Sequence, residues 1–331
     1  MSVGPSVSPS LARAFWVVAK GRGEILDEPL PEPGPGQVLV RALFSAVSRG
    51  TEMLVFRGEV PESETGRMRC PHQRGEFPAP VKYGYSSVGR VVRGAPELEG
   101  RVVFCLHPHQ TSYVVDRTAV IPVPADVPAE RAVLAANLET AVNALWDAAP
   151  LLGDRVTVIG AGVIGCLVAR LASRLPAVEV ELVDVRPERA AVAAALGVQF
   201  ARPEAASTGR DLVFHASASE GGLRRALELA DRGAKIIELS WFGDREVLLP
   251  LGAAFHVHRL TLASSQVGTV SPAARRRFDH AERLALALSL LNDPAFDVLF
   301  SKEQDFEALP EAMALMADPN ADVLCHRVRY G

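Results

Sequence analysis

Cysteine is scarce in this chain of 331 residues: Cys70, Cys105, Cys166 and Cys325 are scattered and form no C-x-x-C pair. That usage fits free thiols in a reducing cytoplasm rather than a disulfide framework. Long apolar runs are missing too, because every such stretch is broken by Gly, Arg or Glu well before about 18 residues, so no segment is expected to span a membrane. The opening "MSVGPSVSPSLARAFWVVAK" has neither a leading basic region nor a long apolar core, and no secretory signal is expected there. A formal net charge of -4 gives no drive towards nucleic acid or an anionic surface. The one basic cluster, Arg275-Arg276-Arg277, is short, is followed by acidic residues, and reads as a solvated helix face.

What is present is the composition of an ordinary globular protein, 48% hydrophobic and 22% charged. The length exceeds one core and, at about 100 to 200 residues per domain, suggests two. The first third strings short β-branched runs such as "QVLVRALFSAV", "GYSSVGRVV" and "TSYVV" between Gly and Pro, a pattern of twisted, largely antiparallel strands. From about Glu130 the texture changes. "AERAVLAANLETAVNALWDAA" has helical spacing, and buried strand and helix then alternate through "RVTVIG", "GVIGCLVARLASRL", "VEVELVDV", "DLVFHAS" and "AKIIELSWFG", which is the βαβ pattern of a parallel, doubly wound sheet. After Gly268, a helix over "AARRRFDHAERLALALSLL", the strand "VLFSKE", the helix "LPEAMALMA" and the strand "VLCHRVRY" are expected to fold back onto the first domain.

The strongest motif is "VTVIGAGVIGCLVARLA". It sets Gly160, Gly162 and Gly165 as G-x-G-x-x-G directly after a strand, with Val163 and Ile164 opening the next helix. Gly160 permits the tight turn, Gly162 lets the backbone approach a pyrophosphate, and Gly165 lets helix and strand pack closely, while the helix N-terminus favours the anion. Asp184 follows nineteen residues after Gly165, at the end of the next strand, where a carboxylate accepts from the adenosine ribose hydroxyls. It would repel a 2′-phosphate, so NAD is favoured over NADP, although Arg186 could meet that phosphate instead.

A Gly/Pro-rich β domain, then a Rossmann domain, then a C-terminal return resembles the medium-chain dehydrogenase/reductase family. "EILDEPLPEPGPGQVLVRALFSAVSRGTE" is similar to that family's opening, "VKYGYSSVGRVV" to its Gly-His-Glu segment, and "ETAVNALWDA" to the helix entering its cofactor domain. "SRGTE" with "GYSSVG" also resembles the bacteriochlorophyllide dehydrogenase branch. The resemblance implies an α/β chain with a GroES-like β-rich catalytic domain over 1–124 and 269–331 and a Rossmann domain over 125–268. It also implies a homodimer paired through the edge strand "LTLASSQV".

The zinc chemistry of that family is missing residue by residue. Its first ligand, the Cys of Cys-Gly-Thr-Asp, falls on Arg49; its Gly-His-Glu falls on Gly84-Tyr85-Ser86; its third ligand falls near Ala136. Zinc takes three protein ligands of N, O or S type plus an open position, which arginine and alanine cannot supply, so no metal is expected. A rival arrangement is Cys105, His107 and His109 in "CLHPHQ", with Cys70 and His72 in "RCPHQ". The bland alternatives are a buried thiol and loop histidines.

The functional expectation is a zinc-independent oxidoreductase that moves hydride between NAD(H) and a small secondary alcohol or ketone. Arg49 would stabilise a developing alkoxide or anchor a carboxylate, Tyr85 would donate the proton, and Thr51 matches the family's relay hydroxyl. Thr140 matches the helix threonine at the nicotinamide, and Ser217 and Ser240 sit at strand ends bordering the cofactor. His107 and His109 are alternative proton carriers, and Arg67 and Arg69 either reach an anionic substrate or face solvent. Two other readings stay open: NAD(P)H-dependent reduction of an activated C=C bond, and a dinucleotide-binding sensor without catalysis.

Overall fold

The computed structural model describes residues 10–318 and 320–331, so part of the stretch read above for a signal sequence lies outside the described residues. Among them, no helix is long and apolar enough to cross a membrane. The chain divides into two compact units: one runs to Leu134 and includes Ser301–Gly331, the other is Ala135–Phe300.

The first unit is β-rich. Its long strand Gln37–Val47 lies at the heart of a seven-stranded sheet, pairing antiparallel with Ser87–Arg93, Ser112–Asp116 and the C-terminal Cys325–Arg329. Alternation along these strands sends Val38, Val40, Val91, Val103, Tyr113 and Val115 into one core. A smaller sheet joins Leu11–Ala19, Arg22–Pro29, Val81–Lys82 and Arg74–Gly75. The pairing of Val328 with Ser45 brings the end of the chain back to the loop that opens helix Thr51–Arg57.

The second unit carries a six-stranded, wholly parallel sheet in the order Gln199–Ala201, Glu179–Val183, Arg155–Ile159, Arg210–His215, Ala230–Glu238, Thr261–Ser264. Chain order reverses between Arg155–Ile159 and Arg210–His215, which makes their carboxyl ends the switch point of a doubly wound sheet. Thr261–Ser264 is the edge strand of this sheet, as expected.

Three expectations change here. The unit boundaries fall at 134/135 and 300/301 rather than at 124/125 and 268/269. The helical stretch from Ala129 is interrupted into Ala129–Ala132 and Ala135–Ala148. The helix expected over "AARRRFDHAERLALALSLL" begins only at His280, where Asp279 and Glu282 form a reciprocal capping box. Arg275, Arg276 and Arg277 therefore lie exposed in the preceding turns, not on a helix face.

Helix His280–Leu290 is tied to the parallel-sheet unit by Arg283 as well as by its buried Leu284, Ala287 and Leu288. Arg283, 1% exposed, pairs with Glu139 at 2.9 Å and donates to Asn143 Oδ1 and to the carbonyls of Val267 and Thr269. A buried arginine is tolerated only when its donors are matched in this way, and removing one partner of such a pair typically costs about 3 to 5 kcal/mol.

Candidate functional site

The glycine motif behaves mechanically as its spacing requires. Gly160 has φ +106°, and a Cβ there would lie 2.8 Å from the backbone of Ala216 and Ser217, just past the end of the neighbouring strand Arg210–His215. A Cβ on Gly165 would lie 1.8 Å from the Gly160 carbonyl oxygen, whereas one on Gly162 would meet only open space. Helix Val163–Ser173 begins at Gly162 with no side-chain cap, so its first N–H groups, those of Val163 and Ile164 among them, remain for an anion.

Asp184 closes this cradle. Its Oδ2 accepts from Ala161 N–H at 2.7 Å and its Oδ1 from Arg186 N–H at 2.8 Å. These bonds hold the carboxylate at the end of strand Glu179–Val183, beside the glycine turn. Thr140 donates its hydroxyl to the Ala136 carbonyl one turn back in its own helix. Ser240 accepts from Ala218 N–H at 2.9 Å, tying together the ends of two adjacent strands.

A second cluster lies in the β-rich unit. The loop "SRGTE" turns from strand Gln37–Val47 into helix Thr51–Arg57, and the Tyr85 hydroxyl lies beside the Ser48 and Thr51 side chains there. Burial, reinforced by the charge of Glu52, pushes the Tyr85 phenol well above its ordinary range. The phenol is therefore held protonated.

Glu52 is a residue that the sequence did not single out for the site. It is 2% exposed; its Oε1 accepts from Ser48 N–H at 2.8 Å and its Oε2 lies 2.9 Å from His109 Nε2. With Nε2–H given to the carboxylate, His109 Nδ1 accepts from the Ser45 hydroxyl at 2.7 Å, and Ser45 accepts from Tyr330 at 3.0 Å. Burial also pushes the Tyr330 phenol upward, in keeping with its place as the donor. Three stretches distant in sequence, 45–52, His109 and Tyr330, thus build one buried chain, Glu52–His109–Ser45–Tyr330.

Arg49 is held differently from the expectation of a free charge. Its guanidinium reaches the carbonyls of Asp318 and Val323 at 3.4 and 3.5 Å, while Arg57 donates to Ala317 at 2.8 Å. Both arginines clasp carbonyls that follow helix Leu309–Met316, a usual use of cations at a helix C-terminus. Arg67 pairs with Glu64 and Arg69 with Glu76 at the surface.

"CLHPHQ" does not gather into a metal site. His109 turns towards Glu52, but His107 stacks on Tyr113 with ring centroids 3.7 Å apart, and its Nδ1–H is spent on the Pro108 carbonyl. Burial drives the His107 imidazole well below its ordinary value and pushes the Cys105 thiol up to about 12. Among the described residues no three His, Cys, Asp or Glu side chains are grouped to hold a metal.

No family model matches the chain. L-threonine 3-dehydrogenase of Chelativorans sp. strain BNC1 is 26% identical over 254 residues, which is 63% of this chain and 70% of that protein. The structure superposes on L-idonate 5-dehydrogenase of Escherichia coli with a TM-score of 0.79 at 17% identity, covering 97% of this chain and 99% of the other. It superposes on a dehydrogenase of zinc-binding type from Sinorhizobium meliloti, solved with NADP, with a TM-score of 0.78 at 17% identity over 97% and 99% of the two chains. These relatives and neighbours are alcohol and polyol dehydrogenases of the medium-chain superfamily. The fold of the present chain is theirs: a GroES-like β-rich domain and a Rossmann domain.

Proposed function

We propose that this chain is an NAD(H)-dependent oxidoreductase that interconverts a secondary alcohol and a ketone without zinc. The observation that carries the reading is the glycine cradle at the switch point, left open at Gly162 and flanked by Asp184. These residues fit a dinucleotide: free N–H groups and the positive end of helix Val163–Ser173 for the pyrophosphate, a carboxylate for a ribose. The carboxylate favours NAD over NADP. Nicotinamide, when bound, supplies the hydride acceptor or donor.

The proton side of the reaction is assigned to the β-rich unit. Tyr85, protonated and beside Thr51 and Ser48, would give a proton to the oxygen of a reduced ketone and take it back in alcohol oxidation. The Glu52 carboxylate, fixed by Ser48 N–H and His109, adds to burial in raising the proton affinity of the surrounding phenols. Arg49 contributes a permanent positive charge to the same loop, oriented by its two carbonyl contacts.

The residues present do not fit zinc. By the resemblance read from the sequence, Arg49 and Tyr85 take the places of zinc ligands, and among the described residues no three His, Cys, Asp or Glu side chains are grouped to hold a metal. No step is assigned to a metal. Elemental analysis of dialysed protein, run beside an NADH-oxidation assay on small ketones, tests this: less than about a tenth of an equivalent of zinc with turnover retained is expected. Close to one zinc per chain would overturn the metal-free mechanism.

Pairing of two copies along the edge strand Thr261–Ser264 completes the proposal. Light scattering that finds only the 35.4 kDa species would reject it.

A further inference from the structure

A fully buried histidine ends strand Arg210–His215. His215 is 0% exposed, and its Nδ1 sits 2.9 and 2.7 Å from the two carboxylate oxygens of Glu238, its register partner on the next parallel strand. Its Nε2 is 2.7 Å from Ser217 Oγ, which in turn is 2.8 Å from Ser219 Oγ. Glu238 is itself anchored by Ser240 N–H at 2.6 Å. Space for the arrangement is kept by a glycine, since a Cβ on Gly222 would fall 2.4 Å from Ser217 Oγ and 2.8 Å from His215 Nε2.

The proton directions follow from the carboxylate. With Nδ1–H given to the Glu238 carboxylate, the Nε2 lone pair accepts from the Ser217 hydroxyl. The Ser217 hydroxyl proton is thereby pinned inward; the Ser219 hydroxyl, which accepts from Gly222 N–H, donates to one lone pair of the Ser217 oxygen and leaves the other for a ligand. That oxygen stands at the switch point, because Ser217 N–H lies 2.8 Å from where a Gly160 Cβ would be. Asp184 and Ser217 follow the two strands that flank Arg155–Ile159 on opposite sides.

We propose that Ser217, His215 and Glu238 form a relay that presents the Ser217 oxygen as a fixed acceptor for a ribose hydroxyl of the dinucleotide, on the side of the pyrophosphate away from Asp184. The inference rests on the dinucleotide reading of this unit. A pyrophosphate over the glycine turn is bonded to a ribose on each side, so ribose hydroxyls are the nearest donors either acceptor can meet. Asp184 serves one and Ser217 the other. His215 touches no ligand; it is a positioning residue acting through Ser217.

Titration of NADH, followed by its fluorescence in wild type and variants, tests the relay. Ser217→Ala should weaken binding about tenfold, the worth of one hydrogen bond of about 1.4 kcal/mol. His215→Asn keeps a donor to Glu238 but withdraws the acceptor from Ser217, so it should lose as much, and the double variant no more than either single one. His215→Gln, whose amide oxygen reaches the place of Nε2, should recover binding to within about threefold of wild type, a rescue that a merely structural role would not give. Melting curves check that each variant is folded; if His215→Asn is not, Ser217→Ala and His215→Gln still decide.

Equal affinity of wild type and Ser217→Ala overturns the relay and leaves the dinucleotide site standing. Absence of NADH and NADPH binding by wild type overturns the dinucleotide reading itself, and the relay with it. Covalent capture of Ser217 by a fluorophosphonate would show a nucleophile with its base and would overturn the relay as a binding device.

Discussion

Gly165→Ala is expected to cost the protein both its dinucleotide site and a large part of its stability. The new methyl would sit 1.8 Å from the Gly160 carbonyl oxygen, a backbone atom that no rotamer change can move aside. Helix Val163–Ser173 must then lift from strand Arg155–Ile159, opening a core in which Val158, Leu167 and Val168 are fully buried. Overpacking of this kind costs about 1 to 3 kcal/mol and more where backbone is displaced. NADH affinity should fall by at least about a hundredfold as the N–H groups leave their places, an energy of about 2.7 kcal/mol. Gly162→Ala is the matched comparison. Its Cβ meets nothing in the protein and its φ of -77° suits any residue, so the melting temperature should stay nearly unchanged while NADH binding is weakened by the methyl in the ligand's path. Full NADH affinity in Gly162→Ala would remove the cradle from the argument.

Tyr85→Phe is expected to lower ketone reduction by about a hundredfold to ten-thousandfold, the range of one positioned acid, with NADH affinity held within about twofold. The phenol is the only group of that ring able to donate, and the variant leaves Ser48 and Thr51 without it. Thr51→Val should act in the same direction and more weakly, because it removes one of two neighbouring hydroxyls. Steady-state turnover on a panel of ketones and enones makes the measurement. Reduction of an activated C=C bond at undiminished rate in both variants would replace the alcohol reading by the reductase one, and hydride transfer to no member of the panel by wild type would favour the sensor.

Much of the cofactor unit was legible in the chain because its demands are local. Gly160 and Gly165 are required by contacts within one strand, turn and helix, and Asp184 ends the very next strand. Ser217 and Ser240 could be placed near the sheet's carboxyl end by counting strands. His215 and Glu238 could not be joined, although "HASAS" places His215 two residues before Ser217, because their contact depends on the register of two parallel strands. Arg283 was hidden for the same kind of reason: an arginine in an amphipathic helix reads as solvated until Glu139 and Asn143, far back in the chain, are found against it.

In the β-rich unit the sequence by itself supplied the expectation that Arg49 and Tyr85 take the places of a cysteine and a histidine of a zinc site. Tertiary structure alone decided what occupies that loop instead. Glu52, His109, Ser45 and Tyr330 meet through the pairing of strand Cys325–Arg329 with Gln37–Val47 and the turn after "CLHPH". The same packing sent His107 to Tyr113 and gave Arg49 to the carbonyls of Asp318 and Val323. The physical reason is common to all of these. Glycine spacing and metal-ligand type are constraints on single residues and short windows, and a sequence displays them directly. A buried hydrogen-bond chain is a constraint on atoms brought within about 3 Å by long-range pairing, and it exists only once burial has removed water as the alternative partner.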